Sequence, residues 1–158
     1  SAGFQGYTTT APFIQGVLAA HSAERFLVTC YAGAGEDGSE AQAAVKAACT
    51  GGWVSLEGLN DGEAAEAINA RSEMVLVDLT GLTLSPRTAL LARHPADVQV
   101  HWHGYPGTLG GTLVSHFLGD RVSTPPDLAP TLSERLAILP LPYLANSHPL
   151  NRPLPCDA

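Results

Sequence analysis

Short apolar runs alternate with helix-like stretches of about ten residues, and this alternation limits the folds open to the chain more than any other feature. Strand-like runs occur at residues 25–31, 53–56, 74–79, 98–102, 114–118 and 136–139. Helical patterns cover residues 11–20, 39–49, 61–70 and 87–93, with Ser39 and Asp61 as expected caps. Strands that alternate with helices form βαβ units, so the sequence predicts an α/β fold, a Rossmann-like parallel sheet flanked by helices. Residues 74–79 (MVLVDL) are almost continuously apolar, which predicts a strand buried on both faces.

The length of 158 residues suits one domain, which we place at residues 1–140. Residues 141–158 contain Pro142, Pro149, Pro153 and Pro155 and are expected to form an extended tail or linker.

The formal charge of −7 argues against nucleic acid or an anionic membrane as the main partner, because both require a basic surface. No segment approaches the roughly 20 apolar residues that a membrane helix needs. Cys30, Cys49 and Cys156 show no disulfide or metal-binding spacing and are expected to be reduced thiols in a cytosolic-type compartment.

A turn after the first strand matches the G-x-G-x-x-G motif of dinucleotide-binding proteins. Its glycines are Gly33, Gly35 and Gly38, and Glu57 lies near the expected place of a ribose-binding acid. However, Glu36 and Asp37 would repel a pyrophosphate, and the helical pattern begins only after Gly38. An ordinary acidic turn is therefore the favoured interpretation, with an NAD-binding oxidoreductase domain as an alternative.

Parallel sheets bind ligands in the loops at the carboxyl ends of their strands, here residues 32–38, 80–85 and 103–111. The segment VQVHWHGYPGTLGG at 98–111 is the most distinctive, because its glycines let the backbone approach a ligand closely and turn amide groups outward.

The string HPADVQVHWHGYPGTLGG at residues 94–111 resembles the hallmark segment of the O-GlcNAc transferase family. The runs FLVTCYA at 26–32, MVLVDLTGLT at 74–83 and SERL at 133–136 resemble further segments of that family, in the same order. The resemblance, which includes Spindly-type members, covers about residues 26–146.

The resemblance implies the N-terminal lobe of a GT-B enzyme, in which two Rossmann-like lobes face each other across a cleft. It implies transfer of a sugar from a nucleotide sugar to Ser or Thr of acceptor proteins. GlcNAc from UDP-GlcNAc is the favoured sugar, and the sequence leaves fucose open as the alternative. A C-terminal lobe, upstream tetratricopeptide repeats and a location in the cytoplasm, the nucleus or both are expected with it. No further cofactor and no metal are expected.

The same resemblance assigns the substrate-facing residues to two loops. The expected substrate-binding residues are Thr80, Gly81, Thr83, Gly104, Tyr105, Pro106, Gly107, Thr108 and Gly110.

The catalytic residue stays unassigned, with Asp78, His101 and His103 as candidates. Family members carry a histidine before the first helix, whereas Tyr7 or Thr8 holds that place here. His101 and His103 could form a metal pair or a replacement base, or be two locally hydrogen-bonded imidazoles. Asp78 could be a carboxylate with a shifted pKa, or one bonded to loop amides. A catalytically inactive lobe kept as an interaction module is therefore a further alternative.

Overall fold

The structure is a computed structural model that describes residues 2–5, 8, 10–83, 85–140 and 142–145. Its helices are α1 (Thr10–Ala19), α2 (Glu40–Ala48), α3 (Asp61–Asn69) and α4 (Thr88–Leu91). Its strands are β1 (Thr29–Ala32), β2 (Gly52–Ser55), β3 (Val75–Asp78), β4 (Val98–His101), β5 (His116–Asp120) and β6 (Arg135–Leu139). Short 3₁₀ helices span Ala2–Phe4 and Pro126–Thr131. The predicted elements therefore occur in the predicted order.

All strand pairs are parallel, but they form two sheets rather than one. One sheet pairs β1 with β2, and the other has the order β3-β4-β5-β6. Helices α2 and α3 connect β1 to β2 and β2 to β3, as helical crossovers do between parallel strands. The α/β class is confirmed. In place of the single sheet that the sequence predicts there are two sheets, and the break lies between β1 and β3.

Two apolar clusters cover opposite faces of the strands, as in a three-layer α/β fold. The first joins α1 and α2 to the strands and contains Phe4, Ala11, Ile14, Cys30, Ala32, Val45, Cys49, Leu79, Trp102, Phe117 and Tyr143. The second joins α3 and α4 to them and contains Tyr31, Leu56, Ala64, Ala65, Ile68, Leu90, Leu91, Leu109 and Val114.

Side-chain caps fix the beginnings of two helices. Ser39 accepts a hydrogen bond from the amide of Gln42 and caps α2, as predicted. The predicted cap of α3 is wrong, since Asn60 rather than Asp61 is the capping residue. Asn60 accepts from the amides of Gly62 and Glu63, and the Glu63 carboxylate accepts from the Asn60 amide in return.

The apolar run at 74–79 does not form a strand buried on both faces. Met74 is 74 % exposed, Val75 54 % and Val77 41 %, because β3 is an edge strand that faces β1 without pairing with it. The strand predicted from residue 25 is also shorter than expected, since β1 begins at Thr29.

The prediction of reduced thiols is wrong for two of the three cysteines. Cys30 in β1 and Cys49 at the end of α2 form a disulfide across 19 residues, with Cα atoms 5.9 Å apart. Packing of α2 against β1 brings them within the Cα separation of an ordinary disulfide, which no sequence spacing indicates. Cys156 lies outside the described residues.

Within the described ranges, no helix is long and apolar enough to cross a membrane.

Candidate functional site

The carboxyl ends of β3 and β4 bring the two predicted substrate loops together. Asp78 and His101 end these strands and are direct register partners. The loops that follow, 80–85 and 103–111, therefore start side by side at one edge of the sheet, as predicted.

Asp78 and His101 form a buried ion pair at this edge. His101 is fully buried; its Nδ1 lies 3.1 Å from Asp78 Oδ2 and its Nε2 lies 2.7 Å from the carbonyl oxygen of Tyr105. The Asp78 carboxylate also accepts hydrogen bonds from the amides of Thr80 and Gly81. Since the carbonyl can only accept, and the ionised carboxylate likewise, both ring nitrogens donate and the imidazole is protonated.

The pKa values of His101 and Asp78 shift in opposite directions, and both shifts favour the charged form. Burial lowers the pKa of His101, but the hydrogen bond to Asp78 and the one to the Tyr105 carbonyl outweigh it, so the pKa is raised. Burial raises the pKa of Asp78, but the hydrogen bonds from His101 and Gly81 outweigh it, so the pKa is lowered. Neither group is free to accept a further proton at neutral pH.

Two glycines pack the loops against each other where no side chain would fit. Gly81 has φ +58°, and a Cβ there would collide with Tyr105 Cβ and lie 2.7 Å from His101 Cε1. A Cβ at Gly104 would collide with the carbonyl oxygen of Leu79. Both predicted loop glycines are thus required by close contact between the loops.

The first loop is a tight turn closed by its own groups. The Thr83 hydroxyl donates to the Thr80 carbonyl at 2.5 Å, and the Thr83 amide bonds the same oxygen at 3.3 Å. Thr80 itself is buried, and its role in substrate binding stays a prediction.

The Tyr105–Gly107 segment brings an exposed residue, Pro106, into the second loop. Tyr105 is half-buried, whereas Pro106 is exposed. A Cβ at Gly107 would lie 3.1 to 3.2 Å from atoms of the Tyr105 ring, so the ring and the glycine are in close contact.

Glu134 holds the far end of the second loop. Its carboxylate accepts from the Thr108 hydroxyl and from the Leu109 amide, both at 2.8 Å. The Thr108 oxygen also accepts from the Gly110 amide at 3.1 Å, and Gly110 has φ +80°. Burial raises the pKa of Glu134, but the hydrogen bonds from Thr108 and Leu109 outweigh it, so the pKa is lowered. Thr108 thus ties the loop to the segment before β6, a role that the sequence reasoning did not assign to it or to Glu134.

Asp120 plays a similar part at the end of β5. Its carboxylate accepts from the amides of Val122, Ser123 and Tyr143, and bonds from the Ser123 and Tyr143 amides contribute most to lowering its pKa to about 2. The Trp102 indole donates to the Tyr143 carbonyl at 3.0 Å. Residues 142–145 of the predicted tail at 141–158 therefore pack on the lobe. The rest of that tail, residues 141 and 146–158, lies outside the described residues, and its role as a linker stays a prediction.

His103 differs from His101 although it is two residues away. The strand ends at His101, and His103 has φ +81°, so the two rings do not share one face of a strand. His103 is 6 % exposed, and neither of its ring nitrogens has a hydrogen-bond partner in the described structure. It lies among the rings of Phe13, Trp102 and Tyr143, at centroid distances of 5.4, 5.7 and 6.5 Å. The expectation that each imidazole is hydrogen-bonded locally is thus wrong for His103.

Burial lowers the pKa of His103, so this ring is neutral at pH 7. Across the part of the chain that is described, no three His, Cys, Asp or Glu side chains are grouped to hold a metal ion. At the place of the family histidine, the Thr8 hydroxyl donates to the Gln5 carbonyl at 2.7 Å, and Tyr7 lies outside the described residues.

The G-x-G-x-x-G turn at 33–38 is a separate surface feature. Helix α2 begins at Glu40, after the last glycine, as predicted. The exposed Glu36 carboxylate pairs with Lys46 at 2.6 Å, and the Asp37 amide donates to the Gln42 side chain. A Cβ at Gly35 would lie 2.5 Å from the carboxylate of Glu57, so acidic side chains surround the motif.

The family model for glycosyl transferase family 41 matches residues 1–151. A solved structure of an O-GlcNAc transferase mutant from Thermobaculum terrenum superposes with a TM-score of 0.78 at 29 % identity, covering 84 % of this chain and 25 % of that one. This similarity agrees with the predicted fold, a Rossmann-like lobe of a GT-B glycosyltransferase.

Curated relatives point to the same family. A UDP-N-acetylglucosamine--peptide N-acetylglucosaminyltransferase of Caenorhabditis elegans is 31 % identical over 90 % of this chain and 12 % of its own length. The probable enzymes of the same name SEC, from Arabidopsis thaliana, and SPINDLY, from rice, are 29 % and 31 % identical over 84 % and 85 % of this chain. This chain spans only 13 % and 15 % of those two proteins. Together with the fold and the loop geometry, these matches show that the chain belongs to glycosyl transferase family 41.

Proposed function

We propose that this chain is the N-terminal catalytic lobe of a protein O-glycosyltransferase that transfers GlcNAc from UDP-GlcNAc to Ser or Thr of acceptor proteins. The observation that carries the proposal is the family match over residues 1–151, which includes the glycine-rich loop at 104–111. The names of the relatives support GlcNAc as the sugar and a peptide as the acceptor. Action in the cytoplasm, the nucleus or both, and a second lobe and tetratricopeptide repeats elsewhere in the whole protein, belong to the same proposal.

In this function the second loop positions substrate. Hydrogen bonds hold this loop at two places. His101 binds the Tyr105 carbonyl, and Glu134 binds the Thr108 hydroxyl and the Leu109 amide. A loop held at both ends presents its exposed part, around Pro106, in a fixed place. Such preorganisation is what orientation of an acceptor hydroxyl or a donor sugar requires.

The proton that leaves the acceptor hydroxyl goes to a base outside the three candidates. Asp78 and His101 bind each other in the ion pair, and aromatic rings enclose His103. Thr and Tyr side chains near the position of the family histidine are poor bases at neutral pH. The base in this proposal therefore comes from the opposing lobe or from the substrates, and the lobe acts by positioning.

The test is transfer by the whole protein from UDP-GlcNAc to an acceptor protein, with the exposed loop residue Pro106 replaced by Trp. A large side chain at this place should obstruct the cleft and lower the transfer rate at least about tenfold, a loss of about 1.4 kcal/mol in transition-state binding. Pro130→Trp, at an exposed proline of the second 3₁₀ helix, is the matched control and should leave transfer unchanged.

Three results would count against the proposal in different ways. Transfer of fucose from GDP-fucose, with none from UDP-GlcNAc, would keep the glycosyltransferase and replace the sugar. No transfer from either donor would favour the inactive interaction module. Equal loss in the Pro106 and Pro130 variants would show that the loop has no special place in the cleft.

A further inference from the structure

The disulfide between Cys30 in β1 and Cys49 at the end of α2 lies apart from the two substrate loops. Both cysteines belong to the first apolar cluster, and they are 3 % and 6 % exposed. In the cytoplasm and the nucleus, glutathione and thioredoxin keep thiols reduced, and a disulfide found there is usually transient and redox-sensing. In the setting proposed above, this pair is therefore expected to exchange between a disulfide and two thiols.

The surroundings of the two sulfur atoms suit the reduced state as well as the oxidised one. The Cα atoms are 5.9 Å apart, an ordinary separation for a disulfide, so the bond can close without a movement of the backbone. Cys49 Sγ lies 2.9 Å from the Val45 carbonyl oxygen, which gives the thiol an acceptor once the bond is open. A free Cys30 thiol is a small apolar group among apolar neighbours. The same packing thus accommodates both states.

Cys49 is the cysteine that a thiol in solution reaches more easily. It ends α2 close to the exposed residues Ala47 and Thr50, and its amide bonds the Lys46 carbonyl at 3.3 Å. Cys30, in contrast, lies within a strand that is paired with β2. The end of a helix opens locally at a lower free energy than a paired strand, so exchange should begin at Cys49.

The disulfide and a buried glutamine hold the two ends of α2. The disulfide fixes the last residue of the helix to β1. Near the other end, the Gln42 side chain donates to the Gly35 carbonyl at 3.3 Å and accepts from the Asp37 amide at 3.0 Å. Opening the disulfide frees one end of the helix, while the other end holds the turn at 33–38. The redox state of the pair is thereby connected to a turn at the carboxyl end of β1.

We propose that Cys30 and Cys49 form a reversible redox site, which exchanges with a small thiol such as glutathione and thereby fixes or loosens α2. In reduction, a glutathione thiolate attacks Cys49 Sγ, and the Cys30 sulfur leaves with the electron pair of the S–S bond and takes up a proton. A second glutathione thiolate attacks the glutathione sulfur of the mixed disulfide and releases Cys49, which also takes up a proton. Two glutathione molecules become one glutathione disulfide, and the protein gains two electrons. The proposal rests on the proposed function only for the cytoplasmic or nuclear setting.

The first test measures the redox equilibrium in the whole protein. The protein is incubated with mixtures of reduced and oxidised glutathione, free thiols are alkylated after an acid quench, and mass spectrometry measures the labelling of Cys30 and Cys49. The pair should change from disulfide to two thiols between the glutathione poise of the secretory pathway and that of the cytosol. A pair that stays oxidised at the cytosolic poise is a structural crosslink, and a pair that stays reduced at the secretory poise forms no disulfide. Either result would overturn the proposal.

The second test measures what reduction does to α2. Hydrogen exchange at the amides of residues 46–49 should become at least about tenfold faster on reduction, whereas exchange in α3 should stay unchanged. Cys49→Ser and Cys30→Ala should each show the fast exchange in both glutathione mixtures. Cys156→Ser, which removes the third cysteine, is the matched control and should respond as the wild-type protein does. Equal exchange in the oxidised and reduced wild-type protein would show that the disulfide does not control α2, and the proposal would fail.

Neither test depends on sugar transfer, so the two proposals can fail separately. A redox response in a protein without transfer activity would contradict the proposed function alone. Full transfer activity with no redox response would contradict the redox site alone.

Discussion

Two glycine-rich turns follow strands in this lobe, and they differ in what holds them. The turn at 33–38 is an acidic surface turn, in which an exposed Glu36–Lys46 pair and the Gln42 side chain make the main contacts. The loop at 103–111 is packed against a buried ion pair and a buried carboxylate. The turn at 33–38, which matches the nucleotide-binding motif, is therefore held mainly by exposed contacts. The loop at 103–111, which matches no standard motif, is held in place by buried hydrogen bonds.

The two turns should differ most in the stability that is lost when the ion pair beside each of them is broken. His101→Leu removes one partner and leaves Asp78, whose side chain is 14 % exposed, without its counter-charge. Breaking a buried pair in this way should lower the free energy of unfolding by about 3–5 kcal/mol. Chemical denaturation of the protein measures this loss.

Lys46→Gln is the matched control at the first turn. It breaks a pair whose side chains are 47 % and 64 % exposed, so the cost should be at most about 1 kcal/mol. Similar losses in the two variants would show that the contrast between the turns is wrong.

Local patterns predicted much of this fold because they act over a few residues. Ser39 precedes a helical pattern and caps α2, and the alternation of apolar runs with helices gives the order of the elements. The exposure of Val77 was missed because it depends on whether β1 lies beside β3, a relation between distant segments.

The sequence likewise predicted some features of the site and missed others. The glycines of the second loop stand out in the sequence, and the parallel arrangement places this loop beside the one after β3. The anchoring role of Glu134 and the disulfide of Cys30 with Cys49 depend on packing across the sheet, and no spacing in the sequence indicates either. His101 and His103 look equivalent in sequence, yet a backbone change at His103 gives them opposite surroundings.

The next largest expected difference in stability is between two glycine substitutions, one in each turn. Gly104→Ala places a Cβ against the Leu79 carbonyl, a backbone group that cannot turn aside, and should cost about 1–3 kcal/mol as overpacking does. For Gly35→Ala the three nearest atoms belong to the carboxylate of Glu57, the mobile end of an exposed side chain, so this substitution should be nearly neutral. Thermal denaturation of the two variants measures the contrast. A costly Gly35→Ala together with a tolerated Gly104→Ala would reverse it.

The smallest expected effect is the dependence of stability on pH that His101 produces beside the second loop. The pKa of His101 is raised in the folded protein above its ordinary value near 6.5, chiefly through the hydrogen bond to Asp78. The folded protein therefore binds this proton more tightly than the unfolded protein does. This contribution is fully present below about pH 6.5 and is lost as the pH rises through the raised pKa.

The physical reason lies in the two acceptors that His101 faces. A neutral imidazole has one N–H group, so deprotonation would leave either Asp78 or the Tyr105 carbonyl without its donor. The measurement is the unfolding free energy between pH 6 and 10, compared between the wild-type protein and His101→Leu. The difference between the two proteins should shrink as the pH rises, while other titrating groups cancel in the comparison. A difference that stays constant over this range would mean that the pKa of His101 is not raised in the folded protein and that the ring is neutral there.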